Sequence, residues 1–280
     1  MSRRKPSEIG GIGARPLIMG VLNVTPDSFS DGGRFLDIEK AADHAIFMAE
    51  SGADIIDIGG ESTRPGSKEL TVEEELARVI PILETVADKI DIPISIDTKK
   101  SEVAEQAVES GAVMINDVSG LRSDDRIAEI AADHGCYLIL MHMRGAPDNM
   151  QDDTAYDDII GEISGFLENA AGKAIDKGVP AEKIIVDPGI GFGKSAEGNF
   201  VILKNLDRFL ALGYPLLVGA SRKSFIGRAL DLDVSERLEG SLAAACYAVL
   251  NGADIVRVHD VPETKRALTI LEKITSAGAK

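Results

Sequence analysis

Eight short apolar segments, each running into a polar residue or a glycine, recur along the chain at 17–24, 54–59, 94–97, 113–118, 137–142, 184–187, 216–219 and 255–259. They are nearly continuous in hydrophobicity rather than alternating, which is the pattern of strands covered on both faces. Amphipathic helical stretches separate them. Thr71 ahead of Val72, Glu73 and Glu74 predicts a helix start, with the capping hydroxyl and acid placed where the helix dipole favours them. Three junctions share one grammar: Ser51-Gly52-Ala53-Asp54, Ser110-Gly111-Ala112 and Asn251-Gly252-Ala253-Asp254. In each, a helix stops at a glycine able to turn left-handed and a strand begins at once. Eight strands alternating with helices close most simply into an α/β fold, a (β/α)8 TIM barrel. An open doubly wound sheet is the alternative, but it would carry a glycine-rich dinucleotide turn after the first strand, where this chain has Asn23-Val24-Thr25-Pro26.

Length agrees, since 280 residues suit one such barrel, which takes ~250. No linker or composition break divides the chain, so 1–280 reads as one domain with 1–14 as a flexible leading segment. A formal net charge of -16 argues against nucleic acid and anionic membranes as partners. It does not argue against a small anion held by local cations. Cys136 and Cys246 have no metal-binding or redox spacing and predict thiols in a reducing compartment. With no apolar leader or spanning run, the expectation is a cytoplasmic protein.

A barrel of this kind does its chemistry at the C-terminal ends of its strands. Those ends carry Asn23, Asp57, Asp97, Asn116, His142, Asp187, Lys223, Arg257 and His259. Any one could be structural; so many at one rim are not explained that way. Asp97, Asn116 and Asp187 are acceptors suited to the N–H donor edge of an amino-substituted heterocycle. Lys223 adds a cation. Arg257 and His259, two residues apart and joined by Ser221, predict an anion site where late strands of such barrels hold phosphate.

The run from Gly189 to Ser195 imitates a phosphate-binding P-loop, but Pro188 stands where its first glycine is needed. It reads instead as a glycine-rich wall that sets Phe192 against a flat ligand. His142 has no partner at metal-ligand spacing and reads as a packed histidine. Two long loops, 25–37 with Asp27 and Asp31 and 61–68 with Arg64, would suit lids over a charged intermediate.

The chain resembles a dihydropteroate synthase. The likeness is carried by the run Gly20 to Gly33, by Asp57 to Gly66, and by Ser95-Ile96-Asp97-Thr98 and Ile115-Asn116-Asp117. Met141 to Gly145, Asp187 to Lys194, Ser221-Arg222-Lys223-Ser224 and Arg257-Val258-His259-Asp260 complete it. The resemblance implies a folate-pathway transferase that joins a dihydropterin pyrophosphate to 4-aminobenzoate, uses Mg²⁺, works as a homodimer and is blocked by sulfonamides. It implies that Asp97, Asn116, Asp187 and Lys223 hold the pterin, and that Asn23, Arg257 and His259 hold pyrophosphate and its metal. Thr63, Arg64, Pro65, Phe29, Phe192 and Ser221 would border the aminobenzoate, with Asp27, Asp31, Arg64 and Lys223 as catalytic groups. A dimer contact is expected on the helix over 235–250. Gly198 departs from a histidine common at that position in the family. A pterin-dependent methyltransferase and a catalytically silent pterin-binding paralogue are the competing readings. The first should lack the two lid motifs, which are present; the second should have lost a catalytic position, and none is lost.

Overall fold

The structure, a computed structural model, describes residues 9–24, 34–62, 67, 69–146 and 149–278. Eight strands and ten helices alternate through them. The strands are β1 (Leu17–Asn23), β2 (Ile55–Gly59), β3 (Ile94–Asp97), β4 (Met114–Asp117), β5 (Tyr137–Met141), β6 (Ile184–Asp187), β7 (Leu217–Val218) and β8 (Ile255–Val258). The first five helices are α1 (Arg34–Glu50), α2 (Val72–Ala87), α3 (Ser101–Glu109), α4 (Arg126–His134) and α5 (Ile159–Asp176). They are followed by α6 (Ala196–Lys204), α7 (Leu206–Leu210), α8 (Ser224–Leu230), α9 (Leu238–Leu250) and α10 (Val261–Ser276).

All pairings are parallel, in the order β6-β5-β4-β3-β2-β1-β8-β7. A parallel bridge from Val186 to Leu216 joins β6 to β7 and closes the ring. The barrel is therefore the expected one rather than an open sheet. Along each strand the pleat sends alternate residues to opposite sides. Ile56, Ile58, Ile94, Ile96, Leu138 and Leu140 pack outward against the helices, in a cluster with Val79, Leu83, Val103 and Ile127. Met19, Ile55, Met114, Ile139, Ile185, Leu217 and Ile255 point inward and fill the floor. That apolar floor forces the inward polar positions to the other end, one turn of the pleat higher.

Local signals behave as the sequence predicts. Thr71 accepts from the Glu74 amide and Glu74 reaches back to the Thr71 amide, a complete capping box. Gly52, Gly111 and Gly252 all have positive φ, of 101°, 121° and 92°, and each passes the chain from helix to strand. The leading segment, expected to be flexible, turns beneath the floor from Ile9 onward, and Ile9 is buried against it. A cavity of about 590 Å³ lies at that lower end, between Ile9, Tyr137, Glu182 and Tyr214, remote from the polar rim. Among the described residues no helix is long and apolar enough to cross a membrane.

Candidate active site

Three acceptors stand at the upper end of neighbouring and facing strands. Asp97 ends β3, Asn116 lies beside it on β4, and Asp187 ends β6; all three are buried. Burial pushes the Asp97 carboxyl up to about 7; the guanidinium of Arg257 pulls it back and the charge of Asp57 reinforces the rise. Burial likewise raises Asp187 to about 6, against a hydrogen bond of 2.7 Å from the Gly189 amide. Carboxylates pushed this far from their usual range by burial gain from further N–H donors.

The cations enter from the late strands. Lys223 precedes α8, and its Nζ lies 3.9 Å from the centroid of the Phe192 ring. Burial and the neighbouring Arg257 lower it to about 8, while Asp187 and Asp97 oppose the fall. Arg257, on β8, donates Nε to Asp57 Oδ2 at 2.6 Å and Nη2 to Asp97 Oδ2 at 2.8 Å. His259 follows β8, and both its amide and its Nδ1 meet Ser221 Oγ, at 3.2 and 3.1 Å. Burial, helped by Arg257, Arg222 and Lys223, lowers its imidazole to about 3. His259 is thus a neutral polar group at physiological pH, and the positive charge of the anion site comes from Lys223 and Arg257.

What aims Lys223 is the residue before it. Arg222 holds a left-handed φ of 57°, a strained conformation for a side chain of this size. Its amide donates to Ser241 Oγ at 2.9 Å, its carbonyl accepts from Arg237, and its guanidinium pairs with Asp260. Three anchors over-determine the turn, which is the condition under which such strain persists.

The glycine-rich segment after Asp187 follows β6 and brings Phe192 beside Lys223. A Cβ at Gly189, where φ is 69°, would sit 1.9 Å from the His142 carbonyl oxygen, so only glycine fits. Lys194 supports this segment: its buried Nζ contacts His142 Nδ1 at 2.9 Å, the His142 carbonyl at 3.1 Å and the Phe192 carbonyl at 2.9 Å. Burial pushes the Lys194 pKa well down and Asp187 resists. Three acceptors match the three donors of an ammonium, so the geometry is that of the charged form. Burial, helped by Lys194, drives the His142 imidazole down to about 2, so the ring is neutral, and in the tautomer with its proton on Nε2 its Nδ1 accepts from Lys194. It packs edge-on against Phe166, with centroids 4.9 Å apart. It is the packed histidine that the sequence suggests, with a hydrogen-bonding task besides. Gly198 lies in the first turn of α6, where a Cβ would meet Ile159 at 3.0 Å.

Asn23 stands half-buried at the upper end of β1. Phe29, Asp27, Asp31, Thr63, Arg64 and Pro65 lie outside the described residues. The base of the second loop is described, and it is clamped. Lys100 bridges Glu61 and the buried Glu75 at 2.6 Å each; Lys99 reaches Glu61 at 3.2 Å and Glu69 at 2.8 Å. Burial would raise the Glu61 carboxyl, but hydrogen bonds from Lys100 and Leu70 hold it below its ordinary value. Asp57 stands among the polar strand ends that the sequence picks out but receives no task there, and Lys194 reads only as part of a false P-loop. Roles for Arg222 and for this clamp are not foreseen in the sequence.

The mouth therefore offers acceptors on one side and cations on the other. It can hold a flat donor-edged ring and an anion joined to it, in a chain whose net charge is otherwise strongly negative.

Comparisons with known proteins agree. Residues 19–259 match the family model described as "Pterin binding enzyme". The dihydropteroate synthase of Synechocystis sp. is 52% identical over 250 residues, covering 89% of this chain and 86% of the relative. A solved dihydropteroate synthase of Xanthomonas albilineans with 4-aminobenzoic acid superposes with a TM-score of 0.89 at 44% identity, covering 94% of each chain. A second structure from that organism, in complex with 7,8-dihydropteroate, gives a TM-score of 0.85 at 40% identity, over 94% of this chain and 95% of that one.

Proposed function

This chain belongs to the dihydropteroate synthases, and on that premise we propose how its barrel mouth divides the work of the reaction. The protein is a transferase of folate biosynthesis. The dihydropterin methylene leaves its pyrophosphate oxygen and joins the amino nitrogen of 4-aminobenzoate, giving dihydropteroate. One C–O bond breaks, one C–N bond forms, and the aniline nitrogen loses a proton.

Asp97, Asn116 and Asp187 receive the N–H donors of the aminopyrimidine edge, and Lys223 lies against the ring with Phe192 beneath it. The observation that carries this reading is the meeting of three buried acceptors from β3, β4 and β6 with two cations from the late strands. Arg257 and the His259–Ser221 pair face the pyrophosphate, where positive charge and donors stabilise the departing oxygens. Thr63, Arg64, Pro65, Phe29, Phe192 and Ser221 border the aminobenzoate. The loops that carry Asp27, Asp31 and Arg64 exclude water from the methylene cation, and pyrophosphate departs before the aniline attacks.

Magnesium, when bound, neutralises charge on the leaving pyrophosphate. The amide oxygen of Asn23 would hold it. An amide oxygen is a hard donor of the kind Mg²⁺ takes, and Asn23 stands half-buried at the barrel rim. Phosphate oxygens and water are the ion's customary further ligands. Two copies of the chain pair through α9, whose Ala243, Tyr247 and Leu250 form an exposed stripe at helical spacing. Neither Cys136 nor Cys246 is in a disulfide, which suits the cytoplasm.

The test is pyrophosphate release by the purified protein with magnesium. Release that needs both the pterin ester and 4-aminobenzoate supports the reading. No release favours a silent paralogue, and methyl transfer to a corrinoid would replace the reading altogether.

A further inference from the structure

Asp57 touches neither the acceptor triad's open face nor the mouth, yet it is bonded to a member of each half of the site. It is fully buried on β2, and a single oxygen, Oδ2, accepts Arg257 Nε at 2.6 Å and Asn116 Nδ2 at 3.1 Å. Its other oxygen is buried with no partner among the described residues, so Oδ2 carries all its hydrogen bonding there.

Two consequences follow from donor and acceptor chemistry. A carboxylate beside a guanidinium only accepts, so the Asn116 amide must present its nitrogen to Asp57 and turn its oxygen the other way. Asn116 thereby becomes an acceptor for the ligand rather than a donor, in keeping with Asp97 and Asp187 beside it. The same oxygen fixes the Arg257 fork at its Nε, and Asp97 fixes it at Nη2, which turns Nη1 to the remaining side.

We propose that Asp57 is the positioning residue of the site, through which the pterin half and the pyrophosphate half are set in one geometry and made to bind cooperatively. This rests on the pterin and pyrophosphate assignments above. Asp57 contacts neither ligand. It acts through Asn116 on one and through Arg257 on the other, and among the described residues it makes no hydrogen bond to Phe192 or Ser221 on the aminobenzoate side.

The experiment is calorimetric titration of the whole protein, in magnesium buffer, with 6-hydroxymethyl-7,8-dihydropterin and with inorganic pyrophosphate, each alone and after the other. The unmodified protein should bind each ligand more tightly when the other is already bound than when it is absent, and by the same factor for both. Asp57→Asn should weaken each ligand by roughly tenfold, the value of one charge-assisted hydrogen bond, and should cut the cooperativity by about threefold or more, the Arg257–Asp97 contact remaining. Its KM for 4-aminobenzoate should stay within about threefold of the parent, since a uniform tenfold loss would mark general damage. In Asp57→Asn/Asn116→Ala, pterin affinity should fall no further than in Asn116→Ala alone. Unchanged affinities in Asp57→Asn, or equal losses for all three ligands, would overturn the proposal. If the unmodified protein bound neither probe, the functional reading itself would fail instead.

Should Asp57→Asn not fold, nitrogen NMR of the unmodified protein decides. The Arg257 Nε–H, identified by its loss in Arg257→Lys, should resist solvent exchange in the free protein and keep its shift when both ligands bind. Rapid exchange, or release of that bond on binding, would sever the link.

Discussion

Replacing Lys194 with methionine removes one nitrogen and keeps most of the side-chain volume. In the native protein that nitrogen serves Nδ1 and the carbonyl of His142 and the carbonyl of Phe192, and all three residues are buried. Each acceptor left without a donor costs about 1–3 kcal/mol. Three of them would cost ~3–9 kcal/mol if none relaxed. Against this, the variant no longer desolvates an ammonium, a term of several kcal/mol in its favour. The balance is a net loss of about 2–4 kcal/mol, which for a chain of this size lowers Tm by roughly 3–7 °C. Function should suffer beyond stability, because the Phe192 carbonyl is tied to Lys194 while the Phe192 ring lies under Lys223. Denaturant unfolding gives the first number, and kcat/KM for the pterin ester at 25 °C, where the variant stays folded, gives the second. A drop of at least tenfold in kcat/KM is expected. A variant within about 0.5 kcal/mol of the parent, with unaltered kcat/KM, would refute the idea that Lys194 supports the segment that carries Phe192.

Lys223→Ala should reduce kcat by 100-fold or more while shifting stability little, because it removes a cation from the reacting region and relieves a desolvated charge; steady-state kinetics beside a melting curve checks both. For kcat/KM against pH, the form that accepts donors needs ionised Asp97, near 7, and Asp187, near 6, whereas Lys223, near 8, must keep its proton. The profile should therefore fall below about pH 7, steepen below about 6 and fall again above about 8, and Asp97→Asn should remove the first break. Arg222→Val should be less stable than Arg222→Gly by about 1–3 kcal/mol, since valine is strained at the left-handed φ of 57° and glycine is not; urea titration of the pair measures the difference. Lys100→Met strands the buried Glu75 beside Glu61 and should cost about 3–5 kcal/mol by the same measurement.

How far the sequence reveals such a site depends on whether a residue's task is local. Strands β3 and β6 begin and end where their apolar runs do, because burial on both faces is written residue by residue. β7 is shorter than its apolar run: Leu216 keeps a single bridge to Val186, and Gly219 leaves the ladder towards Ser221. Asp97, Asn116 and Asp187 are legible because a polar group ending a buried strand has few other uses. The neutral state of His259 is not legible, since burial in the closed barrel sets it, helped by Arg257 on β8 and by Arg222 and Lys223 from the segment after β7. Nor is the importance of Asp57, whose partner Arg257 is 200 residues away in sequence. Lys194 reads as part of a false P-loop, since its acceptors include His142, which only the closed barrel brings alongside.

The crystal structure of the protein with a dihydropterin pyrophosphate in the mouth tests the central claim most directly. The aminopyrimidine edge should face Asp97, Asp187 and the oxygen of the Asn116 amide, with Lys223 against the ring and the pyrophosphate directed to Arg257 and the His259–Ser221 pair. A pterin lodged elsewhere, or one that met the Asn116 nitrogen after its amide had turned away from Asp57, would contradict the account.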